Sequence, residues 1–272
     1  MQATPPEQAK PADPITSDGP LPEWQKTIPT LHRLHHSQAQ RCLWALEELH
    51  AHNGLKFTVI NYPRAVPRNE FLKKVSPLGK SPIVTIADLE GNPVPNIQVA
   101  DGVLMESRLI IEYFAEHYGG KELWEGTTDA ERRRDNYFRT FSLNTLTDRV
   151  DQVLVVDIIP GVLPFPLSTI MKLIFSPVVN ALKGFLPEFL EFVEVSLTDD
   201  NPWFSGSKLG VADFCMEFPV SVMVGRGYLD AQKYPKFKAW HERITGREPW
   251  KKAIEKSGGD KNYELRDFGM KG

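Results

Sequence analysis

The 272-residue sequence predicts two domains, a small α/β layer followed by an all-helical domain, and three observations carry that expectation. Apolar residues alternate between strand and helix periods along residues 29–118. From residue 128 onward every long segment keeps the helical period alone. Between the two lies GGKELWEG, a short link. The expected organisation is a disordered tail at 1–26, an α/β domain at 27–119, a linker at 120–127, a helical domain at 128–258 and a C-terminal tail at 259–272.

Within the first domain PTLHRL reads as a strand, and from Gln38 the set Ala39, Cys42, Leu43, Leu46 and Leu49 returns at helical spacing. LKFTVINY is a second strand, and NEFLKKV a short helix opened by Asn69 as N-cap. PIVTIA and NIQVA are strands joined by the turn-rich DLEGNPVP. ESRLIIEYFAEHYGG closes the unit as a helix with Leu109, Ile110, Tyr113 and Phe114 inward and Gly119 past its end. Strand, helix, strand, helix, strand, strand, helix is the thioredoxin-like plan, with a right-handed βαβ half. In the second domain Thr128 and Glu131 form a capping box, and the helix they open runs on through Phe138, Phe141 and Val150.

Composition bounds the function. The chain is 41% hydrophobic and 25% charged, as a globular protein is, and its net charge of −3 supplies no large basic field. Nucleic acid is therefore not an expected partner, and contact with a membrane is not expected either. The run Arg132, Arg133, Arg134, flanked by Glu131 and Asp135, reads as a solvated helix face. Cys42 and Cys215 stand far apart, which indicates neither a disulfide framework nor a zinc ribbon and fits a reducing, cytoplasmic compartment. The first 26 residues hold no apolar stretch of the signal-peptide kind. Residues 158–179 are the most apolar, but Pro160, Pro164, Pro166, Pro177 and Lys172 break them into an expected buried loop and short helices.

HHSQAQRCLWALEEL, SPLGKSPIV, LMESRLIIEYFAEHYG and NPWFSGSKLGVADFCMEFP, in that order, together resemble a cytosolic glutathione transferase of the serine type, closest to fungal members. The likeness spans about residues 29–256. It implies a cis peptide between Ser81 and Pro82, which turns the backbone of Ser81 out of the sheet to pair with an extended peptide, glutathione. Glu106 and Ser107 open a helix and are expected to take the ammonium and carboxylate of the γ-glutamyl end, with Lys80 near the glycyl carboxylate.

For chemistry the thiol must ionise. A free thiol titrates near ~8.5, and lowering that by two units needs ~2.7 kcal/mol. A hydrogen bond to the charged form supplies ~1.5–3 kcal/mol and a helix N-terminus ~0.3–1 more. Ser37, between the first strand and first helix, is the expected donor, with His36 as a possible aid. The same oxygen is also a natural N-cap, so two roles compete for it. Residues 26–57 contain no Tyr, which sets aside a tyrosine mechanism, and Cys42, one turn further on, is expected in the core. His32, His35 and His36 lack a nearby Cys or carboxylate, so no metal is expected.

In the second domain Asp213 resembles the family's buried helix-start aspartate, while Gly210 replaces the usual Ser or Thr cap. Tyr137, Phe141 and Phe165 are expected to line an apolar electrophile site. The resemblance also implies a homodimer and a conjugating enzyme in detoxification or secondary metabolism. Peroxide reduction or isomerisation at the same thiolate, or a non-catalytic glutathione-binding or interaction protein, are the alternatives.

Overall fold

The computed structural model describes residues 10–64 and 69–259. The first domain holds strands β1 (Ile15–Thr16) and β2 (Thr27–Leu34), helix α1 (Ala39–Asn53), β3 (Thr58–Tyr62), α2 (Glu70–Lys73), β4 (Ile83–Asp88), β5 (Val103–Met105) and α3 (Ser107–His117). The sheet order is β1-β3-β2-β4-β5. β2 and β3 run parallel across α1, and β4 lies antiparallel to both β2 and β5, which is the thioredoxin-like layer expected. Asn69 caps α2 by accepting from the N–H groups of Phe71 and Leu72.

Three expectations for this domain are corrected. Residues 10–26 are not all tail: Ile15 pairs with Val59 and Thr16 with Thr58, closing the outer edge of β3. Ser17 Oγ accepts from Phe57 N at 3.1 Å, and the Gln25 amide holds both backbone groups of Lys56, at 2.7 and 2.6 Å. These polar side chains stand in for a strand and leave no apolar period to read; residues 1–9 lie outside the described part. NIQVA is not a strand, since Asn96 adopts φ 55°. The Gln98 amide instead pairs with the backbone of Met105 at 3.0 and 3.2 Å, flanking the true strand β5. On α3 the inward residues are Ile110, Ile111 and Phe114, while Leu109 is exposed and Tyr113 half-buried.

The link at 120–127 is a helix, α4 (Gly120–Trp124), whose Trp124 is buried 4.7 Å from the ring of Phe214. The helical domain follows as α5 (Asp129–Phe141), α6 (Thr147–Ile158), α7 (Leu167–Lys183), α8 (Leu186–Ser196), α9 (Val211–Gly225), α10 (Pro235–Thr245) and α11 (Glu248–Lys256). Thr128 and Glu131 form the expected capping box at the start of α5. A π-helical turn at Ser142–Leu146, held by Ser142 Oγ donating to Cys215 O at 2.6 Å, joins α5 to α6. Of the arginine run only Arg132 and Arg133 are exposed. Arg134 packs its guanidinium 4.9 Å from the Phe138 ring and donates to Ser196 O, tying α5 to the end of α8. Residues 158–179 are likewise not a buried loop: a short 3-10 turn at Ile159–Val162 leads into the long, largely exposed α7, with Pro177 inside it. The expected tail beyond residue 259 lies outside the described residues.

Helix α9 is anchored by Asp213, which is fully buried and accepts from Phe204 N, Gly210 N, Ser205 N and Trp240 Nε1 at 2.8 to 3.3 Å. Gly210 is required there by space. A Cβ would stand 2.4 Å from Ser205 Oγ and 2.8 Å from Trp124 O, so the smaller cap lets α4 and the 203–209 loop close on the helix. Asp135 of α5 meets the same corner, accepting from Ser205 Oγ at 2.6 Å and Ala212 N at 2.8 Å.

Removing the Asp213 carboxylate leaves four buried donors without their acceptor, each worth ~1–3 kcal/mol. Asp213→Ala is therefore expected to lower unfolding stability by at least ~3 kcal/mol in a urea titration followed by tryptophan fluorescence, with Asp213→Asn intermediate.

Candidate functional site

Three chain segments converge at one edge of the sheet. Between β2 and α1 the chain turns through His35 to Gln38, with His36 at φ 51° and its carbonyl held by Arg64. Ser37, 7% exposed, donates its hydroxyl to Leu34 O at 2.7 Å and accepts from Ala39 N at 3.2 Å. It therefore serves as the local cap of α1 while its proton rests on a backbone carbonyl.

The second segment is the turn before β4. The Ser81–Pro82 peptide is cis, as the resemblance implied. Ser81 Oγ donates to His32 O and accepts from Leu34 N, both at 3.0 Å, and stands 3.5 Å from Ser37 Oγ. Lys80 beside it is exposed.

The third is the start of α3. Glu106 is exposed and holds φ 71°, a conformation that an ordinary side chain adopts only at a cost. Ser107, buried, donates to Gln38 Oε1 at 3.3 Å, and its carbonyl faces the thiol of Cys42 at 3.9 Å. Gln38 thus links the two helix starts, a role not read from the sequence, where it marks only the first turn of a helix. The N-termini of α1 and α3 both point their partial positive charge at this edge, which favours an anion there.

Beneath the loop, Arg41 is fully buried. Its guanidinium finds no hydrogen-bond partner among the described residues, and its Cζ lies 5.4 Å from the ring of Phe218. Its charge acts on Asp151 of α6, whose carboxyl burial nonetheless pushes up to about 6. Nothing in the sequence pairs these two residues, which are far apart in the chain. Burial raises the Cys42 thiol well above its ordinary value and Cys215 to about 11, so both are inert core thiols. His32 is lowered to about 4 by burial and bonded to Tyr62 and Thr85. Among the described residues no His, Cys, Asp and Glu cluster suits a metal ion.

The aromatic residues expected to line an electrophile site are not brought to this edge together. Tyr137 and Phe141 stack on one another along α5 and lean on Phe192 of α8, at 6.0 and 5.2 Å between centroids. The face of α5 toward α3 carries Asn136, Arg139 and Thr140, which meet Arg108 and Glu112. Phe165 is 84% exposed in the turn before α7.

Comparison with known proteins bears on the family and the fold. Residues 31–122 match the family model described as glutathione S-transferase, N-terminal domain, and residues 171–248 match the C-terminal domain of the same family. Glutathione S-transferase 1 of Saccharomyces cerevisiae is 26% identical over 234 residues, which are 84% of this chain and 94% of that protein. Glutathione S-transferase 3 of Schizosaccharomyces pombe is 29% identical over 231 residues, 83% of this chain and 86% of that one. Among solved structures, Ure2p5 from Phanerochaete chrysosporium, cocrystallised with 1-(S-glutathionyl)-2,4-dinitrobenzene, superposes with a TM-score of 0.63. It shares 19% identity and covers 86% of this chain and 96% of its own.

The Asp151 carboxyl holds its proton more tightly folded than unfolded, so its contribution to stability rises as pH falls through 6 and is complete below the unfolded value near 4. Asp151→Asn, which mimics the protonated form, is expected to be more stable than the wild type by ~1–3 kcal/mol at alkaline pH, with the difference closing in acid. Thermal melts across that range check the sign.

Proposed function

We infer that this chain, which belongs to the glutathione S-transferase family and is a glutathione transferase, joins the thiolate of glutathione to an apolar electrophile. Glutathione is the co-substrate of that family. The observation that supports the reading is the meeting of Ser37, Ser81 and Ser107 at two helix N-termini, tied by the Gln38 side chain. In this reading the backbone of Ser81, set by the Pro82 peptide, pairs with the cysteinyl residue of glutathione as an added strand. Glu106 and Ser107 take the ammonium and carboxylate of the γ-glutamyl end, and Lys80 takes the glycyl carboxylate.

The resting position of the Ser37 proton sets the size of the thiol effect. To donate to a thiolate the hydroxyl must leave Leu34 O, giving up a neutral bond worth ~0.5–1.5 kcal/mol for a charged one worth ~1.5–3 kcal/mol. With ~0.3–1 kcal/mol from the helix end, the net gain is ~2 kcal/mol, or a thiol lowered by ~1–1.5 units, to ~7–7.5. That value leaves a useful thiolate fraction at neutral pH while keeping the sulfur nucleophilic.

Attack forms the carbon–sulfur bond and expels a leaving group or adds across an activated double bond. Tyr137, half exposed, and Phe141 meet Phe192 of α8, and Phe165 is exposed; in this reading they are the apolar residues proposed to line the electrophile site. A homodimer, a cytoplasmic setting and a detoxifying or biosynthetic role belong to the same reading and rest on the family alone.

The test is a glutathione titration of wild type and Ser37→Ala followed by thiolate absorbance, then an assay of both with an aryl halide. The expected outcome is that both bind glutathione, with the bound thiol near ~7–7.5 in the wild type and near ~8.5 in Ser37→Ala, and turnover at neutral pH reduced about tenfold. Equal thiol titration in the two proteins assigns Ser37 to capping alone and moves thiol activation elsewhere in the loop. Binding without turnover on any acceptor favours a glutathione-binding protein.

A further inference from the structure

Arg41 of α1 is a cation that its surroundings do not explain. It is fully buried, and its Nε and both terminal nitrogens find no hydrogen-bond partner among the described residues. An arginine keeps its proton in a protein interior, so the desolvation of this charge is not offset by acceptors. The buried carboxylates of the same helix are engaged, Glu48 by Arg247 and Glu47 by Lys256. An unsatisfied cation kept in a core at such cost marks a place where the charge itself is used.

Its position says where. Arg41 stands four residues past Ser37, about one helical turn, and side chains on a helix lean toward its N-terminus. The packing runs the same way. Trp44 meets Phe214 at 4.3 Å, whereas Arg41 lies 5.4 Å from Phe218, about one turn further along α9 and nearer the start of α1. The field of this charge spans three helices. Burial raises Cys42 of α1, Asp151 of α6 and Cys215 of α9, and in each the largest opposing influence is Arg41. The other charges acting in this interior are Asp148 on α6, Glu217 on α9, Asp135 and Arg139 on α5 and Arg108 on α3.

We propose that the buried Arg41 charge supports the glutathione thiolate at the start of α1, and that Asp151 is the counter-charge that limits it. The inference rests on the glutathione reading above. Seating the sulfur against Ser37, itself nearly enclosed, strips water from it, and burial alone raises a thiol, as Cys42 and Cys215 show. A full charge about 10 Å away, at an effective dielectric of about 20, is worth about one pKa unit in the other direction. That offsets the rise, so Ser37 works from the free value of the thiol rather than from a raised one. Arg41 touches no reacting atom; it sets the potential in which Ser37 donates.

The experiment reads a thiol at this edge in two ways. The first is the thiolate titration of bound glutathione in wild type, Arg41→Lys, Arg41→Met and Asp151→Asn. The thiol is expected about one unit higher in Arg41→Met, close to wild type in Arg41→Lys and lower than wild type in Asp151→Asn. A purely structural arginine would change melting temperature or affinity without moving the thiol in opposite directions for Arg41→Met and Asp151→Asn. The second is Ser37→Cys, whose own thiol is titrated by iodoacetamide alkylation without glutathione, with and without Arg41→Met. If Arg41→Met unfolds by itself, Arg41→Met/Asp151→Asn carries the comparison, with a thiol about one unit above that of Asp151→Asn. Equal titration in wild type and Arg41→Met overturns the proposal, as does a thiol raised as far by Arg41→Lys as by Arg41→Met. A wild type that binds no glutathione overturns the transferase reading, and Ser37→Cys then decides the Arg41 charge alone. A rise of about one unit with Arg41→Met keeps an anion site at the start of α1, and no rise removes it.

Discussion

The structure depends on the all-round burial of α1. Every residue from Ala39 to Leu49 is buried, the polar Gln40, Arg41, Glu47 and Glu48 among them. Because an unpaired buried polar group is costly in a low-dielectric interior, the partners that Gln40, Glu47 and Glu48 find place this helix, while Arg41 is buried without a hydrogen-bond partner among the described residues. Gln40 accepts from Arg33 of β2, and Glu48 accepts from Trp44 and from both arms of Arg247. Glu47 meets Lys256 at 2.6 Å, and the Trp44 ring packs 4.3 Å from Phe214. These partners come from the sheet on one side and from α9, α10's end and α11 on the other, so they fix both the rotation and the axial position of the helix. The position of Ser37 at its start is a consequence of that fixing, not of the loop's own sequence.

What the sequence made legible is what short range decides. The Asn69 cap, the Thr128 and Glu131 capping box and the order of strands and helices follow from neighbours a few residues apart, and the structure keeps them. What stayed hidden depends on packing partners. The amphipathic stripe read for α1 concealed that its polar side is buried too, because only the distant α11 supplies the cations. Ser17, Gln25 and Gln98 imitate backbone pairing with side chains, which no hydrophobic period records. Trp124 turned a link into a helix by finding a pocket against Phe214. The prolines of 158–179 fall before the helix and in its middle, and one interior proline did not end it.

At the candidate site the sequence named the residue types, and the structure added their present engagements. Ser37 is at once a cap and a donor to Leu34 O, so the competition between capping and thiol binding is built into its two bonds. The positive φ of Glu106 could not be read from a residue type that rarely adopts it. Neither could the Ser107 to Gln38 bond, which spans two helices. The aromatic residues expected at the electrophile site show the opposite case. Aromatic character is local, but the face it occupies is set by α8, which lies far along the chain.

The ion pairs that join α1 to Arg247 and Lys256 also order events during synthesis. Glu47 and Glu48 leave the ribosome early, whereas Arg247 and Lys256 emerge some two hundred residues later, after the whole helical domain. Until then Glu47 and Glu48 lack those cations, so α1 cannot reach its final packing.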